Sequence, residues 1–254
     1  MSLQWVDLET ARGARGVRLV VAGALPSPWS EAAKALVHVK QIPALAVRYL
    51  RSRDQEALAA WTGARNVPVV LFDDEPPRTG WAEILALAER LGGPPLVPGP
   101  SGQRIIHHGL VHELAAEGGL AWCSRLLMIH GGVTSDGARG FPLKVAQFLA
   151  PRYGYEPDRV PAAQARIREV IGTFAERLDG RRYLLEDRLT ALDLYLATFL
   201  TPVLGVSEED CPGMRPELRA AFAYLRDEVG ALPPAVVAHR AGIFERHLPW
   251  PIEI

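Results

Sequence analysis

Residues 17–30 are VRLVVAGALPSPWS, and this stretch decides the fold of the first part of the chain. The apolar run Val17–Ala22 lies between two glycines, which predicts a buried β-strand. Pro28 suits the first position of a helix, where its missing N–H costs nothing, and Ser27 is a preferred N-cap residue. The stretch therefore predicts a strand that leads directly into a helix, and this helix continues to about Lys40.

Strands and helices continue to alternate up to residue 92. Further strands are predicted at 44–49 and 66–72, and further helices begin at Asp54 and Trp81. This alternation is typical of an α/β domain and predicts parallel strands covered by helices.

Prolines and glycines are concentrated between residues 92 and 102, which predicts a linker. After the linker the patterns are helical, and residues 158–178 place their apolar side chains on one stripe. The predicted organisation is an α/β domain at 1–92, a linker at 93–104 and an all-α domain at 105–254.

Composition excludes several classes of protein. The chain has 254 residues and a net charge of −1 at pH 7, which gives no case for a nucleic-acid or anionic-membrane partner. Its apolar stretches are too short for a membrane span, and the N-terminus lacks the pattern of a signal peptide. Two cysteines, Cys123 and Cys211, fit a reducing compartment. We therefore expect a cytoplasmic protein without a nucleic-acid or membrane partner.

The junction between the first strand and its helix is the first candidate site. Redox proteins with this layout carry two cysteines three positions apart at the helix start, but Ser27 and Ser30 stand there instead. Dithiol–disulfide exchange at this motif is therefore excluded. A serine hydroxyl can still donate a hydrogen bond to a bound thiolate and so favour the ionised form. The alternative is that Ser27 serves only as an N-cap.

Two further motifs follow along the chain. Pro68 opens a strand, where it cannot donate a ladder hydrogen bond. This is explained either by a cis peptide that turns the Val67 backbone toward a ligand beside Ser27, or by a trans proline on an edge. Thr190 and Asp193 form a predicted capping box that fixes a buried helix, which is a structural device and not a catalytic pair.

Together, in this order, the three motifs resemble the glutathione S-transferase superfamily, as a divergent, bacterial-like member of its serine-type classes. The resemblance spans roughly residues 17–245. It implies a thioredoxin-like N-terminal domain, a helical C-terminal domain, glutathione as cosubstrate and a small electrophile as acceptor. It also implies that Ser27 stabilises the glutathione thiolate, that Val67 and cis-Pro68 bind the glutathione peptide, and that the protein is a homodimer.

One departure from the family concerns the γ-glutamyl group of glutathione. Most members hold it with a Glu/Gln–Ser pair at the start of the last helix of the first domain, where this chain has Gly80 and Trp81. Thr79 or Arg78 is a substitute after a small shift, so Thr79 and Trp81 join the candidate glutathione contacts. The second hypothesis is a transferase-like binding protein without catalysis, whose glutathione site is altered by Gly80 and Trp81.

Histidines and cysteines carry no further predicted site. His108 and His112 stand four residues apart on a predicted helix, a spacing that suits a metal. No second ligand pair follows, so domain-interface or surface histidines are the preferred interpretation, and no metal is expected. Cys123 lies in an apolar run and is interpreted as a small buried hydrophobe.

Overall fold

The computed structural model describes residues 3–254. Its first part alternates strands and helices, with a short additional strand and helix ahead of the first predicted strand. The elements are β1 (Gln4–Trp5), α1 (Leu8–Gly13), β2 (Val17–Ala22), α2 (Pro28–Val39), β3 (Ala44–Tyr49), α3 (Arg51–Thr62), β4 (Val69–Phe72) and α4 (Trp81–Arg90).

These strands form one mixed sheet in the order β1-β3-β2-β4. β3 pairs in parallel with β1 and β2, whereas β4 pairs antiparallel to β2, with Val20 opposite Val69 and Val17 opposite Phe72. The prediction of parallel strands is therefore wrong for β4. Periodicity shows which residues are buried but not which way a strand runs, so the sequence pattern could not reveal this reversal.

The alternation along β2 assigns its side chains to two separate cores. Val17, Leu19 and Val21 belong to the core that includes α2 and α4. Val20 belongs to a smaller core with α1 and α3, in which Leu58 is fully buried. Because strand side chains point to alternate faces, α2 and α3 lie on opposite faces of the sheet.

The second part of the chain is helical, and this confirms a thioredoxin-like region followed by a helical one. Two short 3-10 helices, Ala150–Arg152 and Pro157–Arg159, interrupt it. Its α-helices are α5 (Ser101–Ala115), α6 (Leu120–Thr134), α7 (Leu143–Leu149), α8 (Val160–Arg177), α9 (Ala191–Phe199), α10 (Thr201–Leu204), α11 (Pro216–Val229) and α12 (Pro234–His247). Within residues 3–254, no helix is long and apolar enough to cross a membrane.

Every residue of helix α9 is buried, and the predicted capping box stands at its start. The Asp193 carboxylate accepts hydrogen bonds from the Thr190 N–H at 2.8 Å and from the Leu184 N–H at 2.9 Å. The Thr190 hydroxyl donates to the same carboxylate at 2.7 Å. The carboxylate thus satisfies three buried donors.

The segment between α4 and α5 is held by an ion pair between a buried lysine and a partly exposed glutamate. The Lys40 side chain is 1% exposed, and its Nζ lies 2.8 Å from Glu89 Oε1 and 2.9 Å from the Pro94 carbonyl oxygen. Glu89 also accepts the Leu96 N–H, and the Leu96 carbonyl accepts the N–H of Ala191 in α9. This chain of contacts fixes the start of the helical part against α2 and α4.

His107 in α5 is fully buried, and neither of its ring nitrogens has a hydrogen-bond partner among residues 3–254. Burial, with a smaller effect of His108, lowers the pKa of His107 to about 4, although Glu89 opposes this. The folded protein therefore keeps the ring neutral while the unfolded chain titrates near its ordinary value.

We expect the free energy of unfolding to fall as pH decreases below the unfolded pKa of about 6.5, by roughly 3 kcal/mol at pH 4 from His107 alone. His107→Leu should remove this part of the slope, whereas His112→Leu, at an exposed position of the same helix, should keep it. Urea unfolding at a series of pH values measures both slopes. Equal slopes for the parent and His107→Leu would contradict the assignment.

Candidate functional site

Ser27 lies at the N-cap of α2 in extended conformation, at φ −69° and ψ 127°. Its side chain makes no capping hydrogen bond and no other hydrogen bond within residues 3–254, although the residue is only 6% exposed. Ser30 differs, because its hydroxyl is fully buried and accepts the Ala22 N–H at 3.1 Å. Of the two serines, Ser27 therefore has a hydroxyl available to a ligand, and Ser30 fixes the helix to the end of β2.

Trp29 joins this helix start to the second part of the chain. Its indole N–H donates to the carbonyl of Ala115, the last residue of α5, at 2.9 Å. Its ring lies 5.5 Å from that of Phe199 in α9, in an edge-to-face arrangement. The N-terminus of α2 thus faces the junction between the two parts of the chain.

The peptide bond between Val67 and Pro68 is cis, as the resemblance implies. Asn66, one residue earlier, accepts a short hydrogen bond from the Arg152 guanidinium. A second contact joins the same two parts of the chain: the Arg51 guanidinium at the start of α3 lies 3.0 Å from the centre of the Phe148 ring in α7. The segment 143–152 therefore reaches across from the helical part to the residue before Val67.

This crossing segment was not predicted from the sequence. Directly after it, the Tyr153 ring lies 4.5 Å from the Trp122 ring of α6. Arg125, one turn further along α6, is buried, and burial lowers the pKa of its guanidinium, which an interaction with Tyr153 opposes. The contacts of this segment join residues that are remote in sequence, so local patterns could not reveal them. The aromatic residues in 141–155 were the only signal in the sequence that an apolar wall forms here.

Gly80 and Trp81 stand at the start of α4, where the sequence predicts the last helix of the first domain to begin. Gly80 is the N-cap, and its N–H donates to Glu83 Oε2 at 3.2 Å. The Trp81 ring lies 6.2 Å from Tyr195 in α9 and 6.1 Å from His108 in α5, so it packs against the helical part. Thr79 is exposed.

Arg78, the other substitute considered for the γ-glutamyl contact, already has a partner. Its guanidinium lies 2.5 Å from Glu75 Oε2, and the same carboxylate also contacts Arg90 at 2.6 Å. An anionic group of a ligand would therefore compete with Glu75 for this side chain.

The remaining chemical side chains do not form a site. Within residues 3–254, no group of three or more His, Cys, Asp or Glu side chains is arranged to hold a metal ion. Cys123 is buried, as expected, and burial raises the pKa of its thiol to about 11, which disfavours a reactive thiolate. His107 and His108 contact each other by their rings, 5.1 Å apart.

Comparison with known proteins gives a clear result in structure and none in sequence. No family model matches the chain, and no curated protein sequence matches it. Among solved structures, a glutathione S-transferase domain-containing protein from Marinobacter aquaeolei VT8 superposes with a TM-score of 0.66 at 15% identity, over 91% of this chain and 100% of its own. This chain has the glutathione S-transferase fold.

Two other structures extend the comparison within this fold. The β-etherase LigF from Sphingobium sp. strain SYK-6 gives a TM-score of 0.65 at 15% identity, over 91% of this chain and 95% of its own. A glutathione transferase family member from Pseudomonas fluorescens Pf-5, solved with two glutathione molecules bound, gives 0.60 at 16% identity, over 91% and 89%. The glutathione S-transferase fold is thus shared over nearly the whole length, whereas the sequence has diverged widely.

Proposed function

We propose that this protein is a glutathione transferase, in which Ser27 stabilises the thiolate of glutathione for attack on a small electrophile. The observation that carries the proposal is the Ser27 hydroxyl, which stands at the N-terminus of α2 and is not used as a helix cap. The glutathione sulfur would lie against this hydroxyl, and the peptide of glutathione would pair with the backbone of Val67 beside cis-Pro68.

The proposed chemistry needs a thiol that ionises near neutral pH. Lowering a thiol pKa from about 8.5 to 6.5 requires roughly 2.7 kcal/mol. A hydrogen bond to a charged sulfur contributes about 1.5–3 kcal/mol, and a helix N-terminus adds about 0.3–1. Ser27 and α2 together supply that amount. The thiol proton leaves to solvent, the sulfur forms a bond to the electrophilic carbon, and the leaving group departs with the electron pair.

The position of the Trp81 ring bears on the two hypotheses made from the sequence. A ring that fills the space beside Ser27 would exclude glutathione, but Trp81 packs against Tyr195 and His108. This arrangement favours the transferase over a binding protein with an altered site. The γ-glutamyl group then has the start of α4 as its contact, with Thr79 the exposed hydroxyl nearby.

The acceptor would lie against the helical part, along the aromatic wall of Trp122 and Tyr153. The division into domains at 1–92 and 105–254, with a linker at 93–104, belongs to the same proposal, as do a homodimer and a cytoplasmic location. None of these requires a metal.

We expect glutathione to bind the purified protein in isothermal titration calorimetry and its thiolate to appear by ultraviolet absorbance below the pKa of free thiols. Ser27→Ala should raise that pKa by about one to two units, because it removes a hydrogen bond worth about 1.5–3 kcal/mol at 1.36 kcal/mol per unit. Turnover of 1-chloro-2,4-dinitrobenzene at neutral pH should fall roughly ten-fold.

Ser30→Ala is the matched control, because its hydroxyl faces the end of β2. It should lower stability and leave the thiolate pKa as in the parent. An unchanged thiolate pKa in Ser27→Ala would remove Ser27 from the mechanism. Binding of glutathione without turnover of any electrophile would support the hypothesis of a non-catalytic binding protein.

A further inference from the structure

The last residues of the chain, 248–254, fold back onto α2 and β3 and are held there by charged side chains. The Lys34 ammonium donates to the carbonyl oxygen of Glu253 at 2.5 Å. The Arg48 guanidinium donates to Ile254 O at 2.6 Å and to the Glu253 carboxylate at 2.5 Å. The C-terminal tail is therefore a built part of the structure, although it contains no helix or strand.

A cavity of about 270 Å³ lies between this tail, α2, α12 and β1. Its volume is close to the lower end of the range for small-molecule sites, about 300–1,000 Å³. Its walls are mainly apolar, and these side chains come from four different parts of the chain: Leu3, Trp5, Ala35, Phe244, Leu248 and Ile252.

The charged groups that line the cavity are already paired. Glu31 is 7% exposed, and its Oε1 lies 2.9 Å from the Lys34 Nζ. Glu253 is paired with Arg48. An added charge would therefore stay without a counter-ion in a largely apolar site, which is costly. The cavity thus selects against charged ligands.

Two polar groups beside the cavity have hydrogen-bonding capacity to spare. Among residues 3–254 the buried indole N–H of Trp5 has no hydrogen-bond acceptor, while the Arg48 guanidinium stacks on its ring at 3.7 Å. Within residues 3–254 the Glu31 carboxylate pairs with Lys34 alone, and it can accept a hydrogen bond from a further donor. Buried polar groups in native proteins are normally paired, so the Glu31 carboxylate marks where the donor of a ligand would be oriented.

We propose that this cavity binds an uncharged, mostly apolar small molecule with a hydrogen-bond donor, at a site distinct from the one that contains Ser27. Neither Ser27 nor Val67 lines the cavity, which begins one helical turn further along α2 at Glu31. The donor of the ligand pairs with Glu31, and its apolar body contacts Trp5, Phe244 and the tail. The site does not depend on transferase activity.

The test uses N-phenyl-1-naphthylamine, a neutral apolar fluorophore with one N–H donor. We expect a saturable fluorescence increase with one probe bound per chain, and saturating glutathione should not displace it. Ala35→Phe fills the cavity from α2 and should weaken probe binding by about ten-fold or more, the equivalent of about 1.4 kcal/mol. Leu248→Trp fills it from the tail, outside any helix, and should act in the same direction.

Ala57→Phe is the matched control, at an exposed position of α3 on the opposite face of the sheet. It should leave probe affinity within about two-fold, since exposed substitutions have small effects. Circular dichroism shows whether each variant is folded. The proposal would be overturned by absence of saturable binding in the parent, by displacement with glutathione, or by parental affinity in both folded cavity-filling variants.

Discussion

Asp193→Ala should lower the free energy of unfolding by about 4 kcal/mol, because it leaves buried donors without an acceptor at roughly 1–3 kcal/mol each. The affected donors are the N–H groups of Thr190 and Leu184 and the hydroxyl of Thr190. None of them can turn to water, since both Asp193 and Thr190 are fully buried. Thermal unfolding should move down by about 8–16 °C, at 2–4 °C per kcal/mol for a chain of this size.

Two further variants test this assignment, one that removes the charge of Asp193 but keeps an acceptor, and one that serves as an exposed control. Asp193→Asn keeps one acceptor oxygen in place and should cost about half as much. Asp187→Ala, at an exposed position six residues earlier, should change stability by less than about 0.5 kcal/mol. If Asp193→Ala and Asp187→Ala unfold at the same temperature, the Asp193 carboxylate does not stabilise the start of α9.

The sequence was sufficient for the features that depend on local patterns. β2 and β3 begin and end where the apolar runs predict, and α2 begins at Pro28, because glycine and proline punctuate these elements clearly. The Asp193 reach-back to Thr190 was also predictable, since a capping box is a local motif.

Features that depend on contacts between remote residues were not predictable. The direction of β4, the short β1 and the segment 143–152 all depend on partners far away in sequence. The same limit applies to the candidate site. The sequence indicated Ser27 and Val67, but only the structure shows that the Ser27 hydroxyl makes no cap and that the Trp81 ring faces Tyr195.

The ion pair between Lys40 and Glu89 should show a marked asymmetry on mutation. Glu89→Ala leaves the Lys40 ammonium, which is 1% exposed, with only the Pro94 carbonyl, and we expect a loss of about 3–5 kcal/mol. Lys40→Met keeps the apolar stem and removes the buried charge. Glu89 is 25% exposed and keeps the Leu96 N–H, so this variant should cost only about 1–2 kcal/mol.

Urea unfolding measures both variants, provided that the slope with denaturant stays constant. The double variant Lys40→Met/Glu89→Leu should be more stable than Glu89→Ala, because no charge is then left buried. Equal losses for the two single variants would show that the ammonium is hydrated, contrary to its burial in the structure.

The same ion pair should be coupled to Asp193 through a single residue, Leu96. Leu96 donates its N–H to Glu89 and accepts the N–H of Ala191, which follows the Thr190 cap of α9. Removal of either the Glu89 or the Asp193 carboxylate leaves Leu96 less firmly held. The second mutation should therefore lower the free energy of unfolding by less than the same mutation does alone. A double-mutant cycle of Glu89→Ala and Asp193→Ala should therefore give a coupling of about 0.5–3 kcal/mol, the range for residues in one network. Strict additivity would mean that Leu96 does not couple the two anchors.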